Sequence, residues 1–261
     1  MLITILALWC AGLGSAAQFG KLSVAYDLMA AAYPLQGAAG IGLLVSIVGM
    51  VGLIFGTTAG LLVARIGPRR AIVAAMALGA VMSALQVLPL PYAGLILSRV
   101  LEGVSHLAIV VVGPTAIAGV TPARHQGLAM TLWSSFFGVT YAALAYFAPL
   151  LVAAQGPGAL FQGHSLWMLA CLVVLWGLMP RDPVHRVVAG QGNLLRQHIA
   201  IYASPFVAAP AMGFVCYTVT YVAVLTLLPV PFSGLLFSLG IWSVAHRMWT
   251  NNSGHGLPES V

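Results

Sequence analysis

The sequence has 261 residues, of which 61% are hydrophobic and only 5% are charged. A soluble globular protein carries about 25% charged residues because its surface faces water, so this composition excludes a soluble fold and predicts a protein embedded in a lipid bilayer. The formal net charge of +6 does not indicate nucleic-acid binding, because that function needs a concentrated basic face and these basic residues are scattered.

Apolar segments long enough to cross a membrane follow one another along the chain. About 20 apolar residues span the hydrocarbon core as a helix, and a helix satisfies its own backbone hydrogen bonds in lipid. This criterion predicts an all-α integral membrane protein with a six-helix bundle, a seventh transmembrane helix and a weaker eighth. The predicted spans are residues 2–20, 38–63, 71–88, 92–120, 128–154, 165–179, 201–228 and 232–245.

The longest polar stretch of the chain separates the first six predicted spans from the remainder. It divides the sequence into a six-helix bundle at residues 1–179, a cytoplasmic linker at 180–200, the start of a truncated second bundle at 201–246 and a polar tail at 247–261. Nothing in this organisation resembles a soluble domain.

Basic residues in the short loops predict the orientation, since Lys and Arg are concentrated on the cytoplasmic side. One side carries seven arginines, whereas Lys21 alone is assigned to the other side. The seven are Arg65, Arg69, Arg70, Arg124, Arg181, Arg186 and Arg196. We therefore expect a multi-pass protein of a bacterial-type inner membrane with a cytoplasmic N-terminus.

The loop after the second predicted span carries a motif. It reads Gly60, three apolar residues, Ala64, Arg65, Ile66, Gly67, Pro68, Arg69 and Arg70. This order resembles the signature loop of the major facilitator superfamily, which has an acidic residue where Ala64 stands. The resemblance implies a cytoplasmic gating loop made of Gly60, Arg65, Gly67, Arg69 and Arg70. The alternative is that the arginines only determine topology.

Small residues predict close helix packing at two places. Gly52, Gly56 and Gly60 recur every four residues on one face of the second predicted helix, and Gly103 lies on the fourth. Such residues let helix backbones approach each other closely in membranes.

The fourth predicted helix places Arg99, Glu102 and His106 on one face, since they are three and four residues apart. At 1.5 Å per residue, Glu102 lies about 15 Å below the start of the helix, near the middle of the membrane. Charges there are costly and mark substrate or proton pathways. The alternative is a self-neutralising Arg99–Glu102 pair and a histidine that only packs.

The segment from Arg99 to Gly103 also resembles the fourth-helix motif of the same family, which implies a role in substrate binding or proton handling. Arg99 is the only basic residue that the sequence places deep in the membrane. A bundle of six or seven helices is expected to leave Arg99 and Glu102 facing lipid on one side, which is energetically unfavourable.

No motif of an enzyme, cofactor site or metal site is found: the sequence has no HExxH, phosphate-binding loop or nucleophile elbow. The expected function is a secondary active transporter of the major facilitator type that moves a small polar or anionic solute by alternating access, with proton coupling as an option. The alternative is a truncated, non-transporting membrane remnant or interaction partner. The expected partners are the lipid bilayer, a small-molecule substrate, and a second copy or second half-transporter, with no nucleic acid.

Overall fold

The computed structural model describes residues 1–181 continuously and, beyond them, single positions between 196 and 220. Residues 1–181 form eight α-helices and one short 3₁₀ helix at Pro34–Gln36, and this range contains no strand. The helices are α1 Leu2–Val24, α2 Tyr26–Ala32, α3 Gly37–Ile66, α4 Pro68–Leu85, α5 Tyr92–Val120, α6 Ala123–Ser134, α7 Phe136–Gln155 and α8 Gly158–Leu178.

Six segments of this range are long and apolar enough to cross a membrane, when α6 and α7 count as one span from Ala123 to Gln155. The predicted fold class, an all-α integral membrane bundle, is confirmed. The predicted linker, the seventh and eighth helices and the tail lie outside the continuously described residues and stay predictions.

Glycines with positive φ separate several helices. Gly67 (φ 96°) joins α3 to α4, and Gly156 (φ 84°) ends α7. Side chains disfavour this backbone region, whereas glycine adopts it at little cost. Pro68 then occupies the first turn of α4, where its missing N–H is not needed. This explains why α4 begins three residues before the predicted span.

Helix α1 lies at the centre of the bundle, with contacts to α5, α7 and α8. Helix α4 packs against α5 and α8, and α3 packs mainly against α5. A large apolar cluster fills the end of the bundle that contains the start of α1, with Leu8, Ile72, Ile109 and Leu175 fully buried.

A second apolar cluster fills the opposite end and includes Leu22, Leu44, Leu95 and Phe161. Between the two clusters, the same helices carry buried polar and charged side chains. The bundle is therefore layered along its helices, and the polar layer is closed by apolar residues from both ends.

The outer surface is strongly apolar. Phe55 on α3 is 54% exposed, Leu128 on α6 is 74% exposed and Phe147 on α7 is 61% exposed. Exposed apolar patches of this extent are unusual on soluble monomers, whereas lipid tails cover them without cost. The exposed face of the bundle therefore agrees with a membrane-spanning fold.

Candidate functional site

The structure brings Arg99 and Glu102 into direct contact on α5. The Arg99 Nη1 donates to a Glu102 carboxylate oxygen, and neither side chain is exposed. The same guanidinium donates through Nε to the Leu44 carbonyl on α3 at 3.0 Å and through Nη2 to the Gln18 carbonyl on α1. Arg99 therefore links three helices as well as neutralising Glu102.

Lys21 is the second cation of this site. Its Nζ donates to the other oxygen of Glu102 and to Ser83 Oγ on α4 at 2.9 Å, and it lies 3.4 Å from His164 Nδ1 on α8. The ring centroid of Phe161 lies 5.4 Å from Nζ, within the range of a cation–π contact. Lys21 is 0% exposed.

This position corrects two expectations from the sequence. The sequence predicts that Lys21 lies in a loop outside the membrane and that Arg99 is the only deep basic residue, and both predictions are wrong. The physical reason is that α1 continues to Val24, one turn beyond the predicted end at residue 20. That turn carries the Lys21 side chain into the interior of the bundle instead of into a loop.

Glu102 is the only carboxylate of the network formed by Lys21, Arg99, Glu102 and their hydrogen-bond partners. One oxygen faces Lys21, and the other accepts from Arg99 and from Gln86 Nε2 at 2.8 Å. Gln86 Nε2 also lies 3.0 Å from Ser98 Oγ. A buried charge is tolerated when it is paired and fully hydrogen-bonded, and Glu102 meets both conditions.

The network is sealed within the six-helix part of the chain. Arg99, Glu102 and Lys21 each have 0% exposure, because α1, α4, α5 and α8 surround them and Leu44 of α3 lies against the guanidinium. The expectation that six helices would leave Arg99 and Glu102 facing lipid is therefore wrong. The described bundle alone completes the environment of the charges.

His164 on α8 was missed by the sequence analysis. Its Nε2 lies 2.9 Å from the Gly14 carbonyl, so that nitrogen carries the proton, and its Nδ1 lies 2.9 Å from Ser83 Oγ. The predicted sixth span started at residue 165, whereas α8 starts at Gly158 and takes His164 into the bundle. The sequence signal that could have identified His164 is its position immediately before a predicted apolar span.

His106 lies on the same helix as Glu102 but in different surroundings. Its Nδ1 lies 2.7 Å from Ser15 Oγ and 3.1 Å from the Ser15 carbonyl, and the Phe19 ring lies edge-on at 4.9 Å. The ring is half-buried, unlike Arg99 and Glu102. His106 thus joins α5 to α1 at the side of the network. Its ring is less enclosed than the side chains of Arg99 and Glu102.

The predicted gating loop is held against α8 by one of its arginines. Arg69 Nη2 donates to the Trp176 carbonyl at 2.6 Å, and the guanidinium lies 4.8 Å from the Trp176 ring centroid. Arg65 and Arg70 are exposed, and Gly67 forms the turn. Gly60 precedes the loop on α3 and has open space beside it within the described residues. A gating role of these residues stays a prediction.

The glycines predicted to pack helices have different surroundings. A Cβ added at Gly103 would lie 2.7 Å from the Val48 carbonyl oxygen, so α5 and α3 approach closely there. At Gly52, Gly56 and Gly60, an added Cβ would meet no described atom within 4 Å. Within residues 1–181, the α3 stripe therefore has no packing partner.

The chemistry available to this site is that of ion pairs and hydrogen bonds. Among the described residues, no group of three or more His, Cys, Asp or Glu side chains lies close enough together to hold a metal ion. The described cysteines Cys10, Cys171 and Cys216 are not in disulfides. Lys21, Glu102 and His164 supply the groups of the network that are able to exchange protons, and they lie on α1, α5 and α8.

Comparison with known proteins agrees with this architecture. The sequence is 28% identical, over 203 residues, to the inner membrane transport protein YajR of Escherichia coli (strain K12). That match covers 75% of this chain and 43% of the relative, so the chain spans less than half of the relative's length. Residues 4–250 match the family model of the Major Facilitator Superfamily. Given a match over nearly the whole sequence and a bundle of six membrane-length helices, the chain belongs to the major facilitator superfamily.

Proposed function

We propose that this chain acts in a secondary active transporter that moves a small polar or anionic solute across the membrane by alternating access, coupled to protons. The observation that carries the proposal is the buried network in which Glu102 pairs with both Lys21 and Arg99. Charges inside membrane-spanning segments are costly and accompany substrate pathways and proton relays.

The closure of the network favours the proton over the solute as its ligand. Arg99 and Glu102 have no exposure, and apolar clusters close the bundle at both ends. A solute would need the surrounding helices to separate, whereas a proton needs only a chain of hydrogen bonds. His106, which is half-buried on the same helix, is the better candidate for solute contact.

The family supplies the transport mechanism that we assign to the chain. Members of the family are built from repeated bundles whose relative motion opens a central site to each side of the membrane in turn. The E. coli relative is named as an inner membrane transport protein, and we propose the same location here, with the N-terminus in the cytoplasm. Arg65, Arg69 and Arg70 would then lie on the cytoplasmic side with the gating loop.

A second candidate is a membrane protein that transports nothing alone and acts through a partner bundle. The open face beside Gly52, Gly56 and Gly60 favours it, since nothing described covers that face. The partner would be a second half-transporter or a second copy of the chain.

Uptake into proteoliposomes tests the proposal. The purified chain would be reconstituted, given an inward proton gradient and offered a panel of labelled small anions and polar neutral solutes. We expect uptake that a protonophore abolishes, and a loss of at least about tenfold in the Glu102→Gln variant, corresponding to about 1.4 kcal/mol in the barrier.

The matched control is His125→Gln, because His125 is exposed on α6 and lies outside the network. Uptake that appears only after cross-linking into dimers would favour the partner-bundle candidate. Absence of uptake in both forms, with the panel crossing control vesicles of a known transporter, would contradict the proposal.

A further inference from the structure

The buried network contains more positive than negative groups. Lys21 and Arg99 face one carboxylate, Glu102, and all three side chains are fully buried. Burying an uncompensated charge costs far more than burying a neutral pair. If every group carries its usual charge, the sealed layer holds one cation too many, and release of one proton would make it neutral.

Within residues 1–181, no other group near Lys21 supplies a second negative charge. On α8 it faces the His164 imidazole, on α4 the Ser83 hydroxyl, and on α5 Glu102 beside Arg99. On α7, Tyr141 places its hydroxyl 3.4 Å from Ser23 of α1. Asp27 on α2 is exposed, and Leu44 of α3 contributes a carbonyl to Arg99.

Only one of the charged groups is chemically suited to release that proton. The guanidinium of Arg99 does not deprotonate in proteins, and Glu102 has no proton to give while it lies between two cations. A lysine ammonium, by contrast, gives up its proton in buried sites and serves there as a base. Charge balance therefore selects Lys21.

The geometry also provides a group to receive the proton. His164 donates its Nε2–H to the Gly14 carbonyl at 2.9 Å, which leaves the lone pair of Nδ1 directed toward α1 and α4. That nitrogen lies 3.4 Å from Lys21 Nζ, and Ser83 Oγ lies 2.9 Å from both atoms. The Ser83 hydroxyl also lies 3.0 Å from the Phe161 carbonyl, to which it can donate. A hydroxyl donates to one acceptor at a time, so Ser83 bridges Lys21 and His164 when its proton turns from that carbonyl to Nδ1.

We propose that Lys21 is the proton-exchanging residue of this protein and that His164 receives the proton from it, directly or through Ser83, while Arg99 and Glu102 remain a permanently charged pair. This deepens the proton coupling proposed above and depends on it for its role in transport. The exchange itself occurs in the protein whether or not a solute is moved.

An Nζ–H bond of the Lys21 ammonium breaks and its electron pair stays on nitrogen, while the Nδ1 lone pair of His164 forms the new N–H bond. Lys21 becomes a neutral amine and His164, which keeps its Nε2–H, becomes an imidazolium. This transfer leaves the net charge of the layer unchanged, and that charge falls by one only when the proton leaves His164 for the solvent.

The sequence makes this proposal directly measurable, because Lys21 is the only lysine among the 261 residues. The full chain, labelled with ¹³C,¹⁵N-lysine and reconstituted in nanodiscs, gives one lysine side-chain signal in an NMR spectrum. We expect this signal to pass between its ammonium and amine positions as the pH is raised stepwise over the range in which the protein stays folded. A signal that stays at the ammonium position throughout would overturn the proposal, and this measurement needs no variant.

Two variants test the charge-balance argument. Arg99→Gln leaves Lys21 and Glu102 as a neutral pair, so we expect loss of the amine form at every pH at which the native protein shows it. Glu102→Gln removes the only carboxylate, so we expect loss of the ammonium form. An Arg99→Gln signal that titrates as the native signal does would contradict the argument.

His164→Gln tests the acceptor, with His125→Gln as the matched control on the exposed surface of α6. We expect the rate of ammonium–amine interchange, measured by exchange broadening of the lysine signal, to fall at least about tenfold in His164→Gln and to stay native in His125→Gln. Equal rates in both variants would exclude His164 as the acceptor. Since no solute is involved, a failure here leaves the transport proposal standing, and a failure of uptake leaves the lysine titration unaffected.

Discussion

Two regions of the bundle differ in how their polar or small residues are packed. One is the interior between α1, α4, α5 and α8, and the other is the outer face of α3. In the interior, the charges of Lys21, Arg99 and Glu102 are fully buried and each has several hydrogen-bond partners. On α3, the glycine stripe and its neighbour Phe55, which is 54% exposed, face outward.

This difference shows that a sequence pattern indicates which contacts a surface is able to make, whereas the packing of the helices decides whether those contacts form within the chain. Charges cannot remain in an apolar environment without partners, so the interior is constrained to one arrangement. A glycine and leucine surface is stable against lipid, so α3 tolerates an open face.

A series of three variants that removes the ionisable side chains of the network one after another should give the largest effect. Glu102→Ala leaves Lys21 and Arg99 without a carboxylate, and removal of one partner of a buried ion pair costs about 3–5 kcal/mol. We expect folded yield and unfolding midpoint to be lowest for Glu102→Ala, higher for Arg99→Ala with Glu102→Ala, and highest when Lys21→Met is added. The readout is fluorescence-detected size exclusion with a thermal ramp.

Equal yields across that series would show that the side chains do not depend on one another. The interior would then tolerate substitutions as well as the outer face of α3 does, and the two regions would not differ.

Alanine substitutions at two glycines compare the regions directly. Gly103→Ala places a Cβ 2.7 Å from the Val48 carbonyl oxygen, and overpacking of this kind costs about 1–3 kcal/mol. Gly56→Ala meets no described atom within 4 Å and improves helix propensity by up to about 1 kcal/mol. We expect a lower unfolding midpoint for the first variant and an unchanged or higher one for the second.

A Gly56→Ala variant that is as destabilised as Gly103→Ala would mean that another surface covers the α3 face. Repeating the measurement at several protein concentrations would then show whether that surface belongs to a second copy of the chain.

Arg69→Ala should have a smaller effect than Gly103→Ala. It removes the 2.6 Å hydrogen bond to the Trp176 carbonyl and the contact with its ring, which together are worth about 1–2 kcal/mol at a partly exposed site. The matched control is Arg65→Ala, since Arg65 is exposed in the same loop. We expect a lower unfolding midpoint for Arg69→Ala than for Arg65→Ala, and equal midpoints of the two variants would contradict this assignment.

Cysteine labelling tests the orientation and should leave stability unchanged. His125 and Gln155 are exposed near opposite ends of the α6–α7 span. In a chain without native cysteines, we expect an impermeant maleimide added outside the cell to label Gln155→Cys and not His125→Cys. Labelling of His125→Cys in intact cells would reverse the topology.

The candidate site was only partly predictable from the sequence. Arg99 and Glu102 were found because charges interrupt a long apolar helix, and their spacing of three places them on one face. Lys21 and His164 were missed because each lies within one turn of a predicted span end, where composition cannot tell a loop from the last turn of a helix. Ser83 and Gln86 carry no signal of their own, since short polar residues are frequent in membrane helices.

The sequence by itself determined the membrane environment, the helical class and six of the spans, because burial of apolar residues in lipid requires backbone hydrogen bonds to close within each segment. Only the tertiary structure decided that Glu102 is shared between Arg99 on its own helix and Lys21 on α1. It also decided that Gly103 is packed, whereas Gly56 is open. The physical reason is that a partner on another helix depends on how helices rotate and cross, and residue spacing along one helix contains no information about its neighbour.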